Sequence, residues 1–201
     1  MEYYQAKLHP DRQAQCDALL RELSHHGIWN ELDDEQLAAF IVEIERFSFL
    51  PITDRSSMIN AVTQGPFTLG MFAWRFHTII SGDHRRTDTL HLLLHTRPTA
   101  DAGHVMLRPE TLADKINEFF KRIEIDFPGD RLFSRKHYVL ADDASSAERL
   151  LTLDVRRCLN AIPHVALESR AGSTLLAPLA VAQPELIEPM LHAAQALAAT
   201  A

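Results

Sequence analysis

At 201 residues, with 46% hydrophobic and 23% charged side chains, seven glycines and ten prolines, the chain is not collagen-like, disordered or a disulfide scaffold, and a chain of this size buries about 70% of the surface its unfolded form exposes. Twenty basic against 27 acidic residues leave a net charge of −7, which repels phosphate backbones and anionic lipid, and the basic spots (Arg85-Arg86, Lys121-Arg122, Arg135-Lys136, Arg156-Arg157) are each two residues long, too short for the stripe of a nucleic-acid binder. The two cysteines, Cys16 and Cys158, sit outside any C-x-x-C pair and fit free thiols in a reducing, cytoplasmic compartment.

In chain order, Met1 to Lys7 holds no apolar core of a signal peptide. Cys16, Leu19, Leu20 and Leu23 then fall on one stripe of a helix, with Gly27 as its stop. Asp33 and Gln36 have capping-box spacing ahead of a second helix with Leu37, Phe40, Ile41 and Ile44 on its apolar face. Trp29 plugs the first helix onto the core. Pro51 closes the following segment, and a short third helix is expected over Ser56 to Thr63, with Asp54 near its cap.

Gly65-Pro66 marks a change of period. Phe72, Trp74 and Phe76 alternate with Ala73, Arg75 and His77; a polar cluster from Ser81 to Arg86 follows; then Leu90, Leu92 and Leu94 alternate with His91, Leu93 and His95. Two alternating runs around a polar turn predict a β-hairpin. If Ser81 pairs with Thr87, then His77 faces His91, Trp74 faces Leu94 and Phe76 faces Leu92, which gathers the aromatic and leucine side chains on one face. The best apolar run, Phe67 to Ile80, is shorter than the roughly 20 residues of a membrane span and contains Arg75 and His77. No membrane span is expected.

Further along, Gly103 to Leu107 reads as a strand and Thr111 to Phe119 as a short helix. Ile123, Ile125 and Phe127 alternate with Glu124 and Asp126, and Lys136 to Leu140 reads as another strand. Asp142-Asp143 cap a helical stretch that runs to Pro163 and divides near Asp154. Val165, Leu167 and Thr174 to Leu176 flank Arg170-Ala171-Gly172, a second hairpin signal. A last helix starts near Glu185 or Glu188, since Pro189 in its interior would cost about 3 kcal/mol. The fold class is therefore α+β: a helical segment, 1–64, packed with a mainly antiparallel sheet and flanking helices, 65–201, together one compact unit.

Chemistry is sparse. The chain holds no phosphate-binding glycine loop, nucleophile elbow or H-E-x-x-H. His91 and His95 would share an ion on a helix, but on a strand four residues span roughly 13 Å. His77 facing His91, with Arg75 nearby, is the better pair, a strip able to bind an anion; the plainer reading is a histidine-rich sheet face turned to solvent. Two histidines fall short of a zinc site, so no metal and no cofactor is expected. Glu124 and Asp126 share the wet side of a strand, and Cys16 and Cys158 fill the core. No catalytic residue is assigned.

A set of short segments carries a resemblance: Phe47-x-Phe49, Gly70 to Phe76 running to Gly82, Leu107-Arg108-Pro109-Glu110, Ile123 to Phe127, Phe133-Ser134 with Tyr138-Val139-Leu140, Leu167-Glu168, Gly172 with Leu175-Leu176, and Pro184-Glu185. Over about three quarters of its length the chain resembles a bacterial family of uncharacterised, usually membrane-tethered proteins that carry a cytosolic α+β domain. An amphipathic helical start stands here in place of that family's hydrophobic pair. The resemblance implies a fold and no activity.

These readings favour a non-enzymatic protein-binding or adaptor domain, acting on a protein partner or as a homo-oligomer, without nucleic acid. The alternative is a small hydrolase-like enzyme using Arg75, His77 and His91, or the Glu124 and Asp126 face as a paired acid and base.

Overall fold

Alternating apolar and polar residues build one antiparallel sheet, and the computed structural model describes it over residues 10–49, 56–80, 83–97, 103–109 and 123–200. Its nine strands are β1 (Asn30–Glu31), β2 (Ser56–Gln64), β3 (Phe67–Ile80), β4 (Asp83–Thr96), β5 (Val105–Pro109), β6 (Ile123–Glu124), β7 (His137–Ala141), β8 (Val165–Arg170) and β9 (Ser173–Pro178). They run in the order β1-β2-β3-β4-β9-β8-β5-β7-β6. The helices are α1 (Pro10–Ser24), α2 (Asp34–Ile44), α3 (Arg131–Lys136), α4 (Ala144–Leu150), α5 (Leu153–Asn160) and α6 (Ile187–Ala198). The fold class expected from sequence, α+β, holds.

The sheet has a core on each face. On one, α1, α3, α4, α5 and α6 cover Leu69, Met71, Leu90, Leu92, Leu94, Leu107, Val139 and Leu167. On the other, Leu37, Phe40, Ile41 and Ile44 of α2 cover Met58, Ala61, Phe72, Leu93, Leu175 and Ala177. Burying each such side chain contributes roughly 1.5–3 kcal/mol. The helical stripes are those the sequence shows: Cys16, Leu19 and Leu23 of α1 are buried, and Gly27, at φ +127°, takes a conformation that only glycine adopts readily. The capping box of α2 is formed: the Asp33 carboxylate accepts from the Gln36 N–H at 2.8 Å, and the Gln36 side chain accepts from the Asp33 N–H at 3.1 Å.

Several expectations are corrected. Ser56 to Thr63 is not a helix but β2, paired with β3 from Ser56 opposite Trp74 to Gln64 opposite Phe67. The misleading signal has a cause. A bulge between Met58 and Asn60 puts one extra residue into the strand, so buried Met58, Ala61 and Val62 fall at the spacing of a helical stripe. Strand pairing thereby continues across the 64/65 boundary, through a hairpin whose two-residue turn is Gly65-Pro66.

The register of the β3–β4 hairpin also differs. Every β4 partner lies five residues earlier than expected: His77 meets Arg86 rather than His91, Trp74 meets Thr89 rather than Leu94, and Phe76 meets Thr87 rather than Leu92. The polar residues Asp83 to Arg86, expected in the turn, belong to β4. An odd shift inverts the faces. Leu69, Met71 and Ala73 now oppose Leu94, Leu92 and Leu90, while Phe72 opposes His91. Phe72, His91 and His95 share the α2 side with Leu93, and Leu90, Leu92 and Leu94 take the other.

Smaller differences follow the same logic. β6 ends at Glu124, though Ile125 still donates to the Val139 carbonyl at 3.0 Å, and Glu124 and Asp126 are exposed as alternation requires. The helical stretch after Asp143 divides at Thr152, whose hydroxyl accepts from the Val155 N–H, rather than at Asp154. α6 begins at Ile187 after a 3-10 turn, Pro184–Leu186; Pro189 then lies in the first helical turn, where a missing N–H costs no intrahelical bond. α3 carried no sequence signal that was read as a helix. The expectations at Pro51, at Asp54 and over Thr111 to Phe119 lie outside the described residues.

Candidate functional site

The three residues singled out from sequence all lie on the long hairpin, but the register does not gather them. Arg75 is paired with Asp88 and His77 with Arg86, whereas His91 is paired with Phe72. Five residues of strand separate Arg86 from His91, roughly 17 Å. The side chains of Arg75 and His77 lie outside the described residues. His91 is buried rather than solvent-facing: its ring stacks on Phe72 at 5.4 Å and meets the edge of Trp74 at 5.8 Å, and Nε2 lies 2.9 Å from the Thr89 hydroxyl. Burial lowers its pKa, against a hydrogen bond to the Ala180 backbone.

His95, two positions further on the same face, is 6% exposed between the edges of Phe40 and Phe47, at 6.0 and 6.2 Å. Burial takes its pKa down to about 4, with Glu43 opposing and Arg97 assisting. Beside it the Ser173 hydroxyl donates to Glu43 Oε1 at 3.0 Å, and His95 Nε2 stands 3.9 Å from the same oxygen. Serine, histidine and glutamate are thus together, but in the wrong order. A catalytic triad places the imidazole between hydroxyl and carboxylate, so that the ring takes the nucleophile's proton. Here the carboxylate stands in the middle, and both Ser173 and His95 are buried.

A second carboxylate is buried on β8. Glu168 has no exposed surface. Its Oε2 accepts from the Ser48 N–H at 2.6 Å, the Ser48 hydroxyl at 2.9 Å and the Phe49 N–H at 3.3 Å. Oε1 lies 2.7 Å from His104 Nε2, which donates to it. Burial pushes the Glu168 carboxyl up, but the bonds from His104 and Ser48 and the charge of His104 outweigh it and hold the pKa below the usual value. The group ties the chain after α2 to the sheet. The sequence hint was an acidic residue inside an apolar strand, Leu167-Glu168-Ser169; its partners are 120 and 64 positions away.

A further cavity lies elsewhere and carried no sequence expectation of chemistry. Where α3 runs into β7, and where α5 ends before β8, a cavity of about 450 Å³ is lined by Pro109, Arg135, Lys136, His137, Asn160 and the Ala161–His164 segment. Pro109, His137 and Ile162 are buried walls, and Arg135, Lys136 and His164 are exposed on the rim. His164 has φ +47°, an uncommon left-handed conformation for a side-chain-bearing residue. Among the described residues, no carboxylate lines the cavity. The His137 ring packs against Phe133 at 4.7 Å. Burial takes its pKa down to about 4; Asn160 and Asp130 favour the protonated ring and Lys136 opposes it. A side-chain hydrogen bond with Asn160 engages the ring, and neither the ring nitrogens nor the buried Asn160 Oδ1 makes a closer polar contact.

Among the described residues, no group of three or more His, Cys, Asp or Glu side chains is placed to hold a metal ion, and no helix is long and apolar enough to cross a membrane. Cys16 and Cys158 are free thiols, and burial raises the pKa of both, which leaves them poorly reactive.

No family model matches the chain, and no curated protein matches it. Among solved structures it is similar to the mycobacterial trehalose monomycolate transport factor A, TtfA, at 12% identity and a TM-score of 0.55, with 94% of each chain covered. At that identity the likeness is one of fold.

Proposed function

We propose that this protein is a non-enzymatic binding or adaptor domain that acts through a protein partner or a second copy of itself, in a reducing, cytoplasmic setting. The observation that carries the reading is the state of its buried polar groups. Glu168 is saturated by four donors, and His95, Glu43 and Ser173 stand in an order that cannot activate a nucleophile. These groups hold elements together. The fold that it shares end to end with a transport factor supports an accessory role, and the two free thiols suit a compartment that keeps cysteines reduced.

The test combines light scattering of the purified protein with affinity capture from native lysate. The expected result is a stable oligomer, or a partner retained at fixed stoichiometry through salt washes. A monomer that retains no stoichiometric partner overturns the reading.

A further inference from the structure

We propose that the cavity between the α3–β7 junction and the α5–β8 connection binds a phosphate monoester that also carries hydroxyl groups. Three observations define the ligand. The rim offers Arg135, Lys136 and His164 on a chain whose net charge is −7, and among the described residues no carboxylate lines the cavity to cancel them. A dianion suits such a set better than a single carboxylate, because it can engage the flat guanidinium fork and the ammonium at once.

The interior asks for something other than an anion. A neutral imidazole offers one donor and one acceptor nitrogen. His137, 6% exposed, engages the Asn160 side chain through one nitrogen, and its other nitrogen, the acceptor of the neutral ring, is left unfilled. An unmet buried acceptor costs roughly 1–3 kcal/mol, and a bare oxyanion cannot fill it. A hydroxyl can, by donating to the acceptor nitrogen of His137. The volume, about 450 Å³, falls within the range of small-molecule sites and exceeds what an inorganic ion needs. Pro109, Ile162 and Pro163 give an apolar wall for the carbon skeleton. Lys136 is already aimed inward, its Nζ 3.4 Å from the Asn160 carbonyl.

Such a ligand is either a free phosphorylated polyol or the headgroup of a phosphate-bearing lipid. The site goes beyond the adaptor reading, which stands or falls on the light-scattering and capture experiment alone.

The test is calorimetric titration of the full chain with sn-glycerol 3-phosphate, with inorganic phosphate and glycerol as part-ligands. Flotation with phosphatidylcholine vesicles, with and without phosphatidic acid, forms the lipid arm. Arg135 and Lys136 are exposed, so the double variant Arg135→Glu/Lys136→Glu should stay folded, checked by circular dichroism. We expect saturable binding of glycerol 3-phosphate at least about tenfold tighter than of either part-ligand, and a further loss of about tenfold or more in the double variant. His137→Phe, checked for folding by circular dichroism, removes that acceptor and should erase the preference for glycerol 3-phosphate over inorganic phosphate while leaving phosphate binding in place. Binding to phosphatidic acid vesicles alone, lost in the double variant, also supports the site and assigns the lipid source. No binding in either arm, binding unmoved by charge reversal, or equal affinity for phosphate and glycerol 3-phosphate (an adventitious ion only) overturns it.

Discussion

An ionised carboxylate with no exposed surface is tolerable only where donors replace the water it has lost. Glu168 meets that condition with four, two of them backbone N–H groups just past α2. The geometry makes removal of the charge expensive and removal of one donor cheap. In Glu168→Gln, the amide NH2 must face either His104 or the Ser48–Phe49 donors, so buried donors are left opposed. The expected loss is about 3 kcal/mol or more. Ser48→Ala removes one hydroxyl and leaves the backbone donors in place, and the expected loss is about 1 kcal/mol. Urea unfolding measures both; a Glu168→Gln midpoint no lower than that of Ser48→Ala would refute this account. None of it was legible locally. Sequence spacing shows which residues share a strand face, but Ser48 and His104 reach Glu168 only through the order in which β5, β8 and the α2 exit pack.

At the scale of elements, the sequence spoke clearly wherever one short-range rule governed. Asp33 and Gln36 close the capping box as their spacing requires. Ala171-Gly172 makes the two-residue turn between β8 and β9, with φ values of 49° and 73° that match a type I′ turn. Legibility failed where an insertion broke the period. The β2 bulge gave a strand a helical spacing, and the pairing of Asp83 to Arg86 within β4 moved its whole register by an odd number of positions. The His77–His91 pairing was lost with that register, and the His137 cavity was missed because its walls come from three separated segments. The same turn rule gives a prediction. Ala171 is exposed and held in a left-handed conformation that costs a side-chain-bearing residue roughly 1–2 kcal/mol. Asparagine tolerates it far better. Ala171→Asn should therefore raise the stability by about 0.5–1 kcal/mol, seen as a higher melting temperature with unchanged circular dichroism. An unchanged or lower melting temperature would show that the turn is not strained.

At the scale of the molecule, a sheet covered on both faces leaves its imidazoles little room to ionise. His95 lies under α2, and His137 packs with Phe133 on the opposite face. Burial takes each pKa from the ordinary 6.5 down to about 4, and His91 moves in the same direction. Between those values the unfolded chain binds protons that the folded chain refuses. Stability is therefore fully present above about pH 6.5 and is lost as the pH falls toward 4. Glu168 acts in the same sense, since its lowered pKa withdraws stabilisation as the carboxylate protonates at still lower pH. Each unit of depression is worth about 1.4 kcal/mol, so two buried histidines acting together remove several kcal/mol, a large share of the roughly 5–15 kcal/mol of a typical domain. The urea midpoint should therefore drop steadily from pH 6.5 to 4. His95→Leu, which keeps an apolar side chain between Phe40 and Phe47, should start less stable or level at neutral pH, yet show a shallower decline, by up to about 1.4 kcal/mol per pH unit. The slope separates this account from a purely packing role, because a histidine that only filled space would leave the two profiles parallel. A midpoint that stays flat between pH 6.5 and 4 would mean that the folded protein admits these protons and that the two cores are not closed over their imidazoles.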